Sequence, residues 1–276
     1  MRRSQKPEAR SQRSELRYSG LWLLASGFWL LSVGCPTERP APAPQAPPPA
    51  TAPKLEGTLR VLAAASLTEP FTELGAAFEK KFPAVKVELS FGSSTAHERQ
   101  IEAGAPCDLY VAAASANVER LAALSLVESA TVVARNSLVV IVPRGDLVPA
   151  DLESVSVYPR VAVGAKGVPV GDYARPLLAG IVPEDRLAGY PDEPSIVTAV
   201  AQGAVPAGIC YASSLLSHPR HDAVQKALDV DSRTPIVYPS VLVKGTKVPE
   251  LARAFEAFVR SPEGRAVLVR HGFQGE

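Results

Sequence analysis

Two hydroxyl-bearing segments carry the chemistry that can be read first. Val61-Leu62-Ala63-Ala64-Ala65-Ser66-Leu67 runs an apolar strand through small residues into a serine. Val87-Glu88-Leu89-Ser90-Phe91-Gly92-Ser93-Ser94 repeats that design further on. A helix is expected after each. The first turn of a helix leaves backbone N–H groups unpaired and carries partial positive charge, so it takes an anion readily. A serine there adds a hydroxyl donor, and flanking alanine or glycine lets a ligand approach the main chain. Paired ends of this kind suit a small oxyanion held by neutral donors. The alternative is that Ser66 and Ser94 are ordinary N-caps, the usual role of a serine between strand and helix.

The elements that position these serines alternate. Strands are expected over 58–63, 85–90, 108–111 and 137–142, with helices over 67–82, 94–103 and 117–123 between them. The pattern restarts with strands over 161–164, 207–211 and 236–243 and helices over 171–179, 195–202, 249–259 and 262–271. Continuous apolar strands between amphipathic helices indicate parallel sheets covered on both faces, hence an α/β fold of two lobes. In open α/β sheets, ligands bind beyond the carboxyl ends of the strands, where Ser66 and Ser94 fall.

The N-terminal part stands outside this pattern. Arg2, Arg3, Lys6, Arg10, Arg13 and Arg17 form a basic leader, followed by an apolar stretch from Leu21 to Val33 and then Cys35. The stretch is short for a membrane span, so residues 1–35 read as a secretory signal. Leu31-Ser32-Val33-Gly34-Cys35 is similar to the lipobox of bacterial lipoproteins, with Cys35 as the lipidated residue and Ser32 where leucine is usual. Residues 36–56, rich in proline and alanine, read as a semi-rigid tether of polyproline II character. The leader holds six basic and two acidic residues, so without it the net charge falls from +1 to −3. That balance argues against nucleic acid, which needs a basic surface. Any anion must then be caught by local dipoles. Cys107 and Cys210 could pair in an exported protein, but each sits beside an expected buried strand and reads as a small core residue.

Catalytic and metal readings find little support. There is no Gly-x-Ser-x-Gly elbow, and the histidines at 97, 218, 221 and 271 have no evident triad partners. Ser94 and His97 share a helical turn, but His97 is expected on the exposed face of an amphipathic helix. His218-Pro219-Arg220-His221 reads as a loop. The glycine-rich run from Gly164 to Gly171 lacks the features of a P-loop or a dinucleotide fingerprint.

Several separated motifs, in register from about Leu59 to Phe273, resemble the molybdate-binding proteins of bacterial ABC importers. They include Ala63-Ala64-Ala65-Ser66-Leu67, Ser90-Phe91-Gly92-Ser93-Ser94, Asn136-Ser137-Leu138-Val139-Val140, Val168-Pro169-Val170-Gly171-Asp172-Tyr173 and Gly208-Ile209-Cys210-Tyr211. The resemblance implies a two-lobed periplasmic-binding-protein fold (type II), each lobe a mostly parallel sheet flanked by helices. One lobe would comprise 57–138 plus 236–276, the other 139–235. It implies an exported binding protein, not an enzyme. Such a protein captures molybdate and tungstate in the cleft and delivers them to a permease with ATPase subunits. It would act as a monomer, without a cofactor or directly bound metal. Carried over, Ser66 and Ser94 each supply a hydroxyl and a backbone N–H, Val170 and Glu193 a backbone N–H, and Tyr211 its phenol hydroxyl. A binding protein of the same fold for sulfate or phosphate is the alternative; a carboxylate binder would want an arginine clamp, which these positions lack.

The chain departs from the resemblance at three places. Glu193 stands where an apolar residue is common, and its side chain is expected to point to solvent, since an unpaired buried carboxylate is costly; pointing inward, it would disfavour a doubly charged oxyanion and favour a protonated one such as phosphate. Lys166 lies in a loop one residue shorter than usual and is expected to be solvated. Asp172 is expected as a first-turn acid stabilised by the helix dipole.

Overall fold

The computed structural model describes residues 54–274; the expected export signal over 1–35, with Cys35, and most of the tether lie outside the described residues. The chain opens with β1 (Gly57–Ala64), whose second half is wholly buried. A short 3-10 turn (Ala65–Leu67) leads into α1 (Thr68–Lys81), β2 (Val85–Gly92), α2 (Ser94–Glu102), β3 (Leu109–Val111), α3 (Ser115–Ala123) and β4 (Thr131–Asn136). Only Ser137 separates β4 from β5 (Leu138–Pro143), and in that step the chain passes into a second sheet. There follow β6 (Val161–Gly164), α4 (Pro169–Leu178), β7 (Leu187–Tyr190), α5 (Glu193–Ala201), β8 (Ala207–Tyr211), α6 (Ser214–Ser217) and β9 (Val224–Val230). β10 (Ile236–Leu242) returns to the first sheet, and α7 (Pro249–Arg260) and α8 (Pro262–Arg270) follow.

Among the described residues the result is two five-stranded sheets, ordered β2-β1-β3-β10-β4 and β7-β6-β8-β5-β9, flanked by helices. Both lie in one compact unit. They share a plan. Three parallel strands are joined by helical crossovers, and the fourth strand, β10 or β5, runs against its neighbours. The sheets are thus mixed where parallel sheets are expected from the sequence. The reversed strand in each is the one by which the chain enters from the other sheet, so it needs no helical crossover.

Sequence accounts for the packing. β5 and β8 are apolar along nearly their whole length and buried on both faces, as central strands must be. α1 and α7 present Phe71, Phe78 and Phe255 to one another; the Phe78 and Phe255 rings meet edge-on at 5.2 Å between centroids. Proline opens α4, α7 and α8 at the first helical position, where its missing N–H costs nothing. No helix among the described residues is long and apolar enough to cross a membrane.

Candidate functional site

Residues at or just beyond the ends of β1, β2, β3, β6, β7 and β8 line a single cavity of about 20 Å³. A lone water needs about 10–15 Å³ on this measure, so the space is nearly closed. Ser66, Ser94, Val170, Glu193 and Tyr211 all line it, the first two from the first sheet and the others from the second. Ala64, Ala65 and Gly92 keep its walls low.

Neither serine caps its helix. Ser66 lies in the 3-10 turn, and Ser94 is the first residue of α2, with Ser93 before it. Their hydroxyls are engaged elsewhere. Ser94 Oγ accepts the Ala113 N–H at 3.0 Å, so its own proton remains to be donated. Ser66 Oγ lies 3.0 Å from the Tyr238 hydroxyl, which accepts from Asn136 Nδ2 at 3.3 Å. The Tyr238 hydroxyl can donate to Ser66 while accepting from Asn136, an arrangement that leaves the Ser66 proton for the cavity. Burial holds the Tyr238 phenol well above its ordinary pKa, so it stays a donor. Asn136, Tyr238 and Ala113 are the parts of this arrangement that local sequence did not single out; only Asn136 stood in a quoted motif.

The second sheet supplies the opposite wall. Gly164 and Gly171 touch backbone to backbone, and a Cβ on either would overlap the main chain of the other. This contact seats the start of α4, and with it the first-turn N–H of Val170, against the end of β6. Asp172 Oδ1 accepts the Gly167 N–H at 2.9 Å, fixing the preceding loop rather than serving the dipole alone. The Tyr211 hydroxyl is buried and has no partner in the protein. Desolvation raises its pKa far above the normal phenol value, so it too is a donor near neutral pH.

Glu193 overturns an expectation. It starts α5 after the N-cap Asp192, which accepts from the Ser195 N–H at 3.0 Å. Its side chain, though, turns inward and is only 4 % exposed. Burial is tolerated because Oε1 accepts from Ser214 Oγ at 2.5 Å and from the Tyr211 N–H at 3.4 Å. Oε2 is buried without a partner. Desolvation pushes the carboxyl up to about 7, against those two hydrogen bonds, and the nearby Asp192 and Glu69 carboxylates push it the same way.

The architecture has known counterparts. A family model described as bacterial extracellular solute-binding protein matches residues 59–274. The chain belongs to this family. It is 30 % identical over 232 residues to the molybdate-binding protein ModA of Escherichia coli (strain K12), covering 79 % of this chain and 89 % of that one. A putative ABC transporter substrate-binding lipoprotein, YvgL of Bacillus subtilis (strain 168), is 29 % identical over 227 residues, covering 79 % and 87 %. Among solved structures, the substrate-binding domain of a putative molybdenum ABC transporter from Clostridium difficile superposes with a TM-score of 0.63 at 26 % identity, covering 79 % and 99 %.

Other polar groups of this solute-binding protein have structural places. His97 is buried rather than exposed; its Nδ1 pairs with Gln100 Oε1 at 3.0 Å and its ring packs against Gly92. It makes no hydrogen bond to Ser94. Lys166 is exposed and pairs with Glu184 at 3.1 Å, away from the cavity lining. Cys107 and Cys210 are both free and buried, in β-sheet surroundings of different sheets.

Proposed function

We propose that this chain captures molybdate or tungstate outside the cytoplasm and delivers it to an ABC importer. The supporting observation is the cavity's supply of unspent donors: the Ser66 and Ser94 hydroxyl protons and the unpartnered Tyr211 phenol. First-turn N–H groups at Ser94, Val170 and Glu193 add to them. Molybdate and tungstate are fully ionised near neutral pH and carry only acceptor oxygens, so a shell of donors matches them. None of the five positions is an arginine, which argues against a carboxylate ligand.

Binding without turnover fits the serines, because neither has a base at its hydroxyl. In this reading the chain is not an enzyme and needs no cofactor. Residues 57–138 with 236–276 form one lobe and 139–235 the other, hinged at the two passages between sheets. The lobes close on the anion and dock, as a monomer, on a permease driven by separate ATPase subunits. Cys35 carries the lipid anchor, and residues 36–56 hold the domain off the membrane. The kinship to a substrate-binding lipoprotein supports that anchoring.

Calorimetric titration of the mature chain with molybdate, tungstate, sulfate and phosphate tests the reading. Molybdate and tungstate are expected to bind tightest. Tight phosphate or sulfate binding with no molybdate response would overturn it.

A further inference from the structure

Glu193 and Asp192 bring carboxyl groups to a cavity whose other polar side chains are the hydroxyls of Ser66, Ser93, Ser94 and Tyr211. Glu193 lines the anion cavity and also a neighbouring cavity of about 210 Å³, which shares Ala65 and Ser66 with it as well. Oε1 is occupied by Ser214 Oγ and the Tyr211 N–H, whereas Oε2 is buried and unpartnered. An ionised carboxylate here would set a bare oxygen and a negative charge beside an incoming dianion. Both would be desolvated, and they would repel. A protonated carboxyl reverses the relation. With Oε1 accepting two hydrogen bonds, the proton resides on Oε2, which then donates.

We infer that Glu193 is a proton-linked specificity residue: oxyanion capture draws one proton from solvent onto Glu193 Oε2, which then donates to the bound anion. The inference rests on the oxyanion reading above. No covalent bond changes beyond that protonation, and the complex gains one positive charge against the dianion.

The surroundings are set for such a proton. From its own helix start Asp192 faces the carboxyl, and from α1 Glu69 does, both disfavouring a second negative charge. Cys210 and Tyr211 of β8 and Tyr238 of β10 feel the same carboxyl, and burial keeps all three protonated. His218, at the end of α6, lines the second cavity; burial lowers its pKa, so it supplies little charge near neutral pH. The unliganded carboxyl, at about 7, is therefore ready to titrate in the neutral range.

The test is calorimetry with sodium molybdate at several pH values, in buffers of differing ionisation enthalpy, on the wild-type chain and Glu193→Gln. Wild type is expected to take up almost no proton at pH ~5.5 and nearly one at pH ~8.5, with affinity falling toward about tenfold per pH unit above neutrality. Glu193→Gln keeps an acceptor for Ser214 and places an N–H donor at the Oε2 position. It is expected to remove both the proton uptake and the pH slope. Molybdate binding by wild type without proton uptake at any pH overturns the inference and leaves the transport reading standing. Uptake persisting in Glu193→Gln places the proton elsewhere and also overturns it. No molybdate binding by either protein overturns the transport reading, and this inference with it.

Discussion

At the residue scale, the cavity-lining side chains separate into those spent on the protein and those held in reserve. The Tyr211 hydroxyl is buried and unpartnered, which costs the unliganded protein free energy and gains it only when an acceptor arrives. Tyr211→Phe is therefore expected to weaken molybdate binding by ~1.5–3 kcal/mol, the worth of a hydrogen bond to a charged group, without lowering the thermal stability of the unliganded domain. Calorimetry with a parallel melt checks both halves. Ser66→Ala differs, because it also strands the Tyr238 proton and so lowers stability as well as affinity. Glu193 makes a pH prediction of its own. Its folded pKa is raised, so its contribution to stability is complete below about 4.5 and lost as pH rises through about 7. A shift of that size corresponds to roughly 3 kcal/mol. Denaturant unfolding of the unliganded domain from pH 5 to 8 is expected to show this loss, and Glu193→Gln to lack it. The serines were legible as donors because strand–serine–helix is a local pattern. The inward turn of Glu193 was not, because its partner Ser214 lies 21 residues away and no local signal announces it.

At the element scale, what was legible followed burial. β5 and β8, buried on both faces, are continuous apolar runs and could be read directly. β4, β7 and β9 went unread, and each is an edge strand. β9 carries the exposed Lys226 and Asp229 among half-buried residues, and β7 contains Gly189, so both are held by pairing with β5 and β6 rather than by a pattern of their own. The role of Ser66 as a cap was misjudged for a related reason. Ser66 looks like a cap, but a 3-10 turn intervenes and its hydroxyl is drawn to Tyr238 on a distant strand. The Gly164–Gly171 contact is the element-scale device that sets the site. A methyl group on Gly171 would push α4 away from the end of β6. Gly171→Ala is accordingly expected to cost about 1–3 kcal/mol of stability, typical of overpacking, and to weaken anion binding further by displacing Val170. Unfolding and titration of the same variant measure the two effects; a stable variant with unaltered affinity would show that the loop adapts.

At the scale of the whole molecule, function depends on contacts between chain segments that sequence order separates widely. Ser66 and Tyr238 are 172 residues apart, yet they meet where the two passages between the sheets run side by side. Asn136 ties that region together: its Oδ1 accepts from the Ser137 N–H at 2.9 Å, and its Nδ2 donates to Ser213 Oγ at 2.9 Å. On the far side of the cavity, Thr95 of α2 donates from Oγ1 to the Gly167 carbonyl in the loop before α4, joining the first sheet's side to the second's. The carbonyl can only accept, so Thr95 is the donor; Asn117 Nδ2 in turn donates to Thr95 Oγ1 at 3.2 Å. If the lobes open to admit the anion, this bond exists only in the closed form. It then slows escape without aiding encounter. Thr95→Val retains the shape and removes the donor, so the expected loss of ~1 kcal/mol should emerge as a dissociation rate about fivefold faster with an unchanged association rate. Stopped-flow chase of bound molybdate measures both constants. A slower association instead would mean that Thr95 already bonds Gly167 before the anion arrives, making the contact part of the resting fold rather than a latch.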